Sequence, residues 1–199
     1  MATDGPRPLV AGNWKMNGGV AMLREPRLLA AMLKDVKLKC DVMVCPPAII
    51  ARRVKSVLKG SRIRLGGQDC HWAASGAHTG DISAEMLREA GATAVIVGHS
   101  ERRTNHGEAD EIVSKKASAA HRAGLKAIIC IGETLDERKA GKTLEVLSRQ
   151  IRGSIPSGSN ADFTVIAYEP VWAIGTGLTP TTAEVAEAHA HIRKGLESV

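Results

Sequence analysis

Short apolar runs alternate with longer amphipathic segments along this chain of 199 residues. Apolar runs with β-branched side chains predict buried strands, and apolar positions at helical spacing predict helices. The predicted strands are 9–12, 42–45, 63–67, 94–98, 125–130 and 163–168. The predicted helices are 18–34, 46–59, a short one from Ser83, 107–122, 134–152 and 181–196. Pro26 predicts either a kink in the first helix or its division into two pieces.

Six strand–helix units of about 33 residues each are typical of right-handed parallel βα connections. The pattern therefore predicts the α/β fold class, with a parallel sheet. A chain of this length and 44% hydrophobic content is most simply one domain, residues 1–199. Two polar loops interrupt the alternation, at 68–80 and 153–160.

Polar side chains directly follow three of the predicted strands. Asn13 and Lys15 follow the first strand, His99 follows the fourth, and Glu169 ends the sixth. The carboxyl ends of parallel strands share one rim, where α/β folds carry their chemistry. We therefore expect these four groups to converge.

The loop after Glu169 is unusually apolar. Pro170 biases Glu169 away from helical geometry, and the next four residues, 171–174, are Val-Trp-Ala-Ile. Such a segment favours a lid that closes over a site, with Gly175 and Gly177 absorbing the backbone change. The alternative is a plain connector whose tryptophan packs on the surface.

These four residues suit proton transfer next to a carbonyl group. A carboxylate shielded from water by a lid gains the proton affinity that a general base needs. A histidine at a helix N-terminus is disfavoured as the imidazolium, so His99 would donate a hydrogen bond as the neutral ring. Lys15 and Asn13 would stabilise an enediolate and an attached phosphate. This chemistry requires no cofactor.

Each residue also has a purely structural interpretation. Lys15 alone would be a solvated charge, and His99 alone a histidine whose hydrogen bonds serve the fold. The run Glu101–Arg103 would be an ion-pair network at a rim or interface.

Composition narrows the classes of ligand and location. The 27 basic and 21 acidic residues give a net charge of +6, spread without a dense block. One Tyr, one Phe and three Trp offer little stacking surface for nucleic acid, so a small phosphorylated or carboxylated ligand is favoured.

Neither a membrane span nor a signal peptide is evident, which predicts a cytoplasmic protein. The spacing of Cys40, Cys45, Cys70 and Cys130 predicts buried free thiols. We predict no metal site, because His189 and His191 lie on different helix faces.

Four segments closely resemble the triosephosphate isomerase family. They are Ala11–Asn17 (AGNWKMN), Val97–Arg103 (VGHSERR), Cys130–Leu135 (CIGETL) and Ala167–Gly177 (AYEPVWAIGTG). The resemblance implies a TIM (β/α)8 barrel that interconverts dihydroxyacetone phosphate and D-glyceraldehyde 3-phosphate in glycolysis and gluconeogenesis, without cofactor or metal.

The resemblance also implies residue roles. Glu169 becomes the base, His99 the neutral electrophile, and Lys15 and Asn13 the substrate-binding pair. The lid comprises Trp172, Ala173, Ile174, Gly175 and Thr176, with the Gly175 N–H on the phosphate. A homodimer is implied, in which the loop at 76–80 enters the neighbouring subunit and Thr79 approaches Asn13. The pairing of a carboxylate base with a neutral histidine in this family is a worked example in general accounts of catalysis.

One departure from the family is evident. The barrel has eight units in about 250 residues, whereas six are present here, without the glycine-rich phosphate site that follows the last two strands. The first and sixth strands would then have unpaired edges. We therefore expect a partial sequence that is aggregation-prone and nearly inactive when expressed as written.

Two other functions stay open from the sequence. One is another phosphosugar isomerase or epimerase on the same barrel. The other is an inactive or non-catalytic fragment that serves as a binding module.

Overall fold

The computed structural model describes residues 7–197. Its contacts divide the chain into two compact units. The first runs to Val95 and adds Ala119–Lys126, and the second comprises Ile96–Ser118 and the residues from Ala127 onward. The expectation of a single domain over 1–199 stays a prediction.

Strands of the first unit pair in parallel, as the alternating pattern predicts. They are β1 (Leu9–Asn13), β2 (Asp41–Cys45), β3 (Ile63–Gly67) and the start of β4 (Ala94–Val97). Val42 lies opposite Val10 of β1 and Ile63 of β3, and Gly67 lies opposite Val95. The apolar residues of β2 and β3 are buried, whereas Val10 on β1 is 58% exposed.

The first unit contains three α-helices. They are α1 (Arg24–Met32), α2 (Ala51–Val57) and α3 (Ala84–Glu89), with short 3-10 turns at Val20–Leu23 and Ala48–Ile50. The predicted helix 18–34 is a 3-10 turn followed by α1, and the change falls before Arg24, so the expected kink or division at Pro26 is wrong. Pro26 is the third residue of α1, where the missing backbone N–H leaves no helical bond unmade. Ser83 caps α3 by accepting the N–H of Met86, as predicted.

The second unit holds the rest of β4 and the later strands and helices. The helices are α4 (Ser100–Asn105), α5 (Asp110–Arg122, as far as Ser118), α6 (Leu135–Lys139), α7 (Thr143–Ser154) and α8 (Thr182–Leu196). β5 (Lys126–Ile131) and β6 (Thr164–Tyr168) pair in parallel, from Ala127 opposite Thr164 to Ile131 opposite Tyr168. A 3-10 turn, Val171–Ala173, follows β6.

Two predicted helices have the wrong extent. The helix expected over 107–122 begins at Asp110. The helix expected directly after His99, for which no extent was predicted, is the separate short helix α4. Gly107 lies between them at φ +64°, a conformation that suits glycine. The helix expected over 134–152 is interrupted between Lys139 and Thr143, where Gly141 has φ +69°.

The prediction of buried strands is confirmed for β2 to β5, whereas β1 is largely exposed and β6 is half-buried. Ile129, Ile131, Leu147 and Ile151 are buried in the second unit. The four cysteines are free thiols, three of them buried and Cys40 half-buried. Burial raises the pKa of the Cys45 thiol to about 12. Among residues 7–197, no helix combines the length and apolar character needed to cross a bilayer.

Candidate active site

His99 occupies the turn between β4 and α4, where it is the N-cap residue of the helix. Its Nδ1 accepts a hydrogen bond from the backbone N–H of Glu101 at 3.2 Å. Gly98, just before it, has φ +66°, and a methyl group there would collide with Val113. The turn therefore requires glycine, and it directs the His99 ring by a bond to the backbone of its own helix.

Glu169 follows β6 and meets His99 within the second unit. Its Oε2 lies 3.2 Å from His99 Nε2, and its Oε1 accepts the backbone N–H of Ser100 at 2.6 Å. Both side chains are largely buried, 12% exposed for His99 and 16% for Glu169. The sequence prediction that these two residues meet is confirmed by this geometry.

The hydrogen bond at Nδ1 decides the tautomer of a neutral His99. Because Nδ1 accepts the Glu101 N–H, the ring proton lies on Nε2 and points to Glu169. The Glu101 carboxylate is also 3.5 Å from Nδ1, an ion pair only if the ring is charged. The backbone N–H is the closer partner, so we assign Nε2–H as the donor.

The backbone around Glu169 tolerates no larger neighbour. The Glu169 N–H donates to the carbonyl oxygen of Ile131 at 2.9 Å. A methyl group on Gly132 would overlap the Glu169 carbonyl oxygen. Gln150 secures Gly132 by accepting its N–H at 2.8 Å and donating to its carbonyl oxygen at 3.3 Å. Gly132 therefore allows the ends of β5 and β6 to approach closely.

Arg103 holds the segment after β4 in place. Its guanidinium donates to the carbonyl oxygens of Gly98 and Cys130, and to the side chains of Asp110 and Ser154, at 2.7–3.1 Å. Arg102 pairs with Glu108 at 2.6 Å. The interpretation of Glu101–Arg103 as ion-pairing residues is thus confirmed for both arginines.

A cavity of about 120 Å³ adjoins Glu169. Ser100, Arg103, Gly132 and Gln150 are among the residues that line it, together with Glu169 itself. The lining also includes the apolar residues Ile131 and Val171, so the wall is of mixed polarity. The space lies within the second unit.

The predicted lid begins with a buried tryptophan. Trp172 is 8% exposed, and its indole N–H donates to Glu133 at 2.8 Å. Ala173 and Ile174 are half-buried, whereas Gly175 and Thr176 are exposed. Gly175 has φ +70°, a conformation that suits glycine. The apolar part of the loop therefore packs, and its glycine-bearing part faces solvent.

Asn13 and Lys15 lie together in the first unit. Asn13 Oδ1 accepts the Lys15 N–H at 2.9 Å, and Lys15 has φ +52°, uncommon for a residue with a side chain. Gln68 donates to the carbonyl oxygens of Lys15 and Cys45, both at 2.8 Å. These bonds fix Lys15 in a strained backbone conformation, which is common at functional sites. That this pair shares a pocket with His99 and Glu169 stays a prediction.

The described residues contain one group of three potential metal ligands, His71, His78 and Asp81. Its chemistry does not favour a metal. The Ala73 N–H donates to His71 Nδ1 at 3.0 Å, so the ring proton of neutral His71 occupies Nε2, the atom 4.0 Å from Asp81. A metal at Nε2 would have to displace that proton, whereas metal-bound histidines donate from their other nitrogen.

The two C-terminal histidines have separate partners. His191 Nε2 is 2.7 Å from Ser148 Oγ, and the His189 ring meets the Tyr168 ring edge-on at 6.0 Å. They do not form a joint ligand pair.

Comparison with known proteins identifies the family of this chain. The model of the family described as triosephosphate isomerase matches residues 8–199. The chain belongs to the triosephosphate isomerase family. The triosephosphate isomerase of Afipia carboxidovorans is 57% identical over 190 residues, which are 96% of this chain and 76% of that protein. That of a Chelativorans species is 59% identical over 191 residues, 96% of this chain and 75% of the relative.

A solved structure shows the same fold. The crystal structure of triosephosphate isomerase from Bartonella henselae matches with a TM-score of 0.90 and 51% identity, covering 97% of this chain and 77% of that one. The prediction of an α/β fold of the TIM-barrel family, with six βα units in the described residues, is confirmed. So is the prediction of an isomerase.

Sequence reasoning missed contacts that triosephosphate isomerase chemistry would depend on here. Ser100, Gly132, Glu133 and Gln150 contact Glu169, its backbone neighbours or the lid. Three of them lie inside the segments that resemble the family, which was the only signal available. Gln150 lies within a helix and gives no signal at all.

Proposed function

We propose that this chain interconverts dihydroxyacetone phosphate and D-glyceraldehyde 3-phosphate. Two kinds of observation support the proposal: relatives that carry the name triosephosphate isomerase at 57–59% identity, and the meeting of Glu169 with His99 at 3.2 Å. The second carries the mechanism, because it sets a base beside a neutral donor. This supports an isomerase over a non-catalytic binding module.

In this mechanism Glu169 removes a proton from the carbon next to the carbonyl group. The His99 Nε2–H donates to the carbonyl oxygen, which becomes the enediolate oxygen as the C–H electrons move into the carbon–carbon bond. A proton passes from the hydroxyl oxygen on the first carbon to the enediolate oxygen. The Glu169 carboxyl group returns its proton to the neighbouring carbon, and the first oxygen becomes the new carbonyl oxygen. Atoms and electrons balance without any oxidant or cofactor.

Substrate must free the Glu169 carboxylate before this step. One oxygen accepts the Ser100 N–H at the start of α4, and the other faces His99. A substrate oxygen would replace Glu169 as the acceptor of the His99 Nε2–H. The Glu169 carboxylate would then leave the Ser100 N–H and move next to the substrate carbon. The Ser100 bond is charge-assisted and short, so it fixes the resting position of the base.

Lys15, Asn13 and the lid supply the binding of the anion. We propose that the Lys15 ammonium neutralises the phosphate and the developing enediolate, and that Asn13 holds the Lys15 backbone. Gly175, whose backbone is exposed, would donate its N–H to the phosphate when Trp172–Thr176 closes.

A homodimer and a cytoplasmic, glycolytic role complete the proposal. The loop that bears Thr79 is exposed and turns at Gly76 (φ +140°) and Gly80 (φ +91°). In a dimer, Thr79 would approach Asn13 of the second subunit.

Substitution of the base tests the proposal. Glu169→Gln removes the proton acceptor but keeps the shape, so kcat should fall by about 10²–10⁴-fold, or to the enzyme-free rate. Binding of glycerol 3-phosphate, a triose phosphate with its carbonyl reduced, should change little. Glu145→Gln on α7, an exposed carboxylate, is the matched control and should leave both quantities unchanged. Equal turnover by Glu169→Gln and the unmodified chain would reject the assigned base.

A further inference from the structure

One guanidinium group contacts both ends of the loop that carries the lid, between β6 and α8. Arg138 lies on α6, and its side chain approaches Trp172 and Glu133 on one side and Glu184 on the other. Trp172 opens the lid, and Glu184 belongs to the first turn of α8, just beyond the loop. Nothing in the proposed chemistry uses Arg138.

The first end of the lid is anchored on a fully buried carboxylate. Glu133 is 0% exposed and accepts the Trp172 indole N–H at 2.8 Å and the Tyr168 hydroxyl at 3.1 Å. Its carbonyl oxygen accepts the Val171 N–H at 3.0 Å. Burial, and then the Glu133 charge, raise the pKa of the Tyr168 phenol, which keeps it a donor. A carboxylate this buried requires a cation, and Arg138 Nη1 lies 3.5 Å away.

The second end is anchored at the start of α8. Thr181 and Glu184 form a capping box, in which Glu184 Oε2 accepts the Thr181 N–H at 2.7 Å. The other Glu184 oxygen pairs with Arg138 Nη2. Glu184 thus ties the end of the loop to the guanidinium.

The geometry requires arginine and not merely a positive charge. The guanidinium carbon lies 4.5 Å from the centre of the Trp172 ring, within the range of a cation–π contact. Its two terminal nitrogens approach two different carboxylates. A lysine ammonium is a single point and cannot cover the ring while reaching both carboxylates. A capping box between Thr134 and Glu137 fixes the start of the short helix that carries Arg138.

We propose that Arg138 is a positioning residue that links the start of the β6–α8 loop to the first turn of α8, so that Trp172–Thr176 closes between fixed anchors. The proposal rests on the proposed function, because a lid matters only if a site lies beneath it. Without Arg138 the two anchors would move independently, and the closed arrangement would form less often. Apparent affinity and rate fall in proportion to the fraction of molecules that can close.

The test compares Arg138→Met with Arg138→Lys, and with Arg152→Met, an exposed arginine on α7, as control. Arg138→Met should lower kcat/KM and the affinity for glycerol 3-phosphate about tenfold, the scale of one cation–π contact and one partly exposed ion pair. Arg138→Lys should restore only part of this loss. Relaxation dispersion of the ¹⁵N-labelled Trp172 indole should show faster or larger exchange in Arg138→Met, and no change in Arg152→Met.

Arg138→Met leaves the buried Glu133 carboxylate without the Arg138 charge and could misfold, so a second variant tests the proposal with Arg138 in place. Glu184→Gln keeps the capping acceptor but removes the charge at the second anchor alone, so it should give a smaller change of the same kind. Unchanged indole exchange and unchanged kcat/KM in Arg138→Met would overturn the proposal, as would full restoration by lysine. Failure of the unmodified chain to isomerise triose phosphate would instead refute the proposed function, since the indole measurement does not require turnover.

Discussion

At the scale of single residues, His99 and Glu169 are held by backbone groups. The Glu101 N–H fixes the His99 tautomer, and the Ser100 N–H holds Glu169. Both donors come from the first turn of α4, where N–H groups lack helical partners. One helix terminus therefore orients the proposed base and the proposed donor together.

Gly132 gives a prediction at this scale. A methyl group at Gly132 would overlap the Glu169 carbonyl oxygen, so Gly132→Ala must displace the backbone of the base. We expect about 1–3 kcal/mol lower stability in urea unfolding and a kcat reduced by about 10²-fold, the cost of a displacement near 1 Å. Gly19→Ala is the control, because a methyl group there meets no atom within 4 Å. Full activity of Gly132→Ala would show that the close approach is unimportant.

Sequence reasoning identified His99 and Glu169, the proposed reacting groups, but not the residues that support them. His99 and Glu169 directly follow apolar strands, so their meeting follows from parallel pairing alone. The contacts of Ser100 and Gly132 arise only when β4, β5 and β6 are placed side by side, and no spacing along the chain encodes those distances.

At the scale of elements, a buried ion pair joins the segment between α4 and α5 to α5 itself. Glu108 and Lys116 are both 5% exposed, and Lys116 Nζ lies 2.6 Å from Glu108 Oε1. Burial alone would raise the pKa of Glu108, but Lys116 and then Arg102 outweigh it and hold that pKa below its usual range. This pair stabilises the segment that carries His99 and Ser100.

Glu108→Gln should destabilise the protein by about 3 kcal/mol at neutral pH, because it removes the carboxylate charge that faces the buried Lys116 ammonium. The folded-state pKa of Glu108 is lowered, so its contribution is complete above the unfolded pKa of 4.5 and is lost as pH falls through the folded value. Urea unfolding at pH 6 and near pH 3 should show the gap between the two proteins closing at the acid end. A gap independent of pH would contradict the ionic origin.

There is a physical reason why the extent of α4 was not predicted. The residues of α4, Ser-Glu-Arg-Arg-Thr-Asn, offer no apolar periodicity. Its Arg102 and Arg103 instead pair with Glu108 and Asp110, which follow the helix in the chain. The predicted helix 134–152 is interrupted for a different reason. Gly141, between the end of α6 and the start of α7 at Thr143, adopts φ +69°, which is not a helical conformation. Hydrophobic patterning detects neither feature.

At the scale of the whole molecule, several apolar side chains on the outside of the first unit face solvent. Leu28 and Met32, one turn apart on α1, are 54% and 73% exposed, and Val10 on β1 is 58% exposed. Clustered apolar residues of this kind promote association. The expectation that the chain aggregates and turns over poorly when expressed as written stays a prediction.

The 199-residue chain should therefore form species larger than a dimer at micromolar concentration in light scattering coupled to size exclusion. Leu28→Lys with Met32→Lys should shift the distribution toward dimer or monomer. Ile49→Lys, a scattered residue that is 89% exposed, is the control and should not. A single species of one mass for all three proteins would exclude association through α1.

Solvent deuterium exchange tests the central claim, that Glu169 moves a substrate proton while His99 polarises the carbonyl. Dihydroxyacetone phosphate is incubated in D₂O, and ¹H NMR follows deuterium entering next to the carbonyl, so that slow turnover accumulates to a measurable signal. The account predicts exchange above the enzyme-free rate for the unmodified chain, slower exchange for His99→Gln, and the enzyme-free rate for Glu169→Gln. Exchange by Glu169→Gln as fast as by the unmodified chain would contradict it.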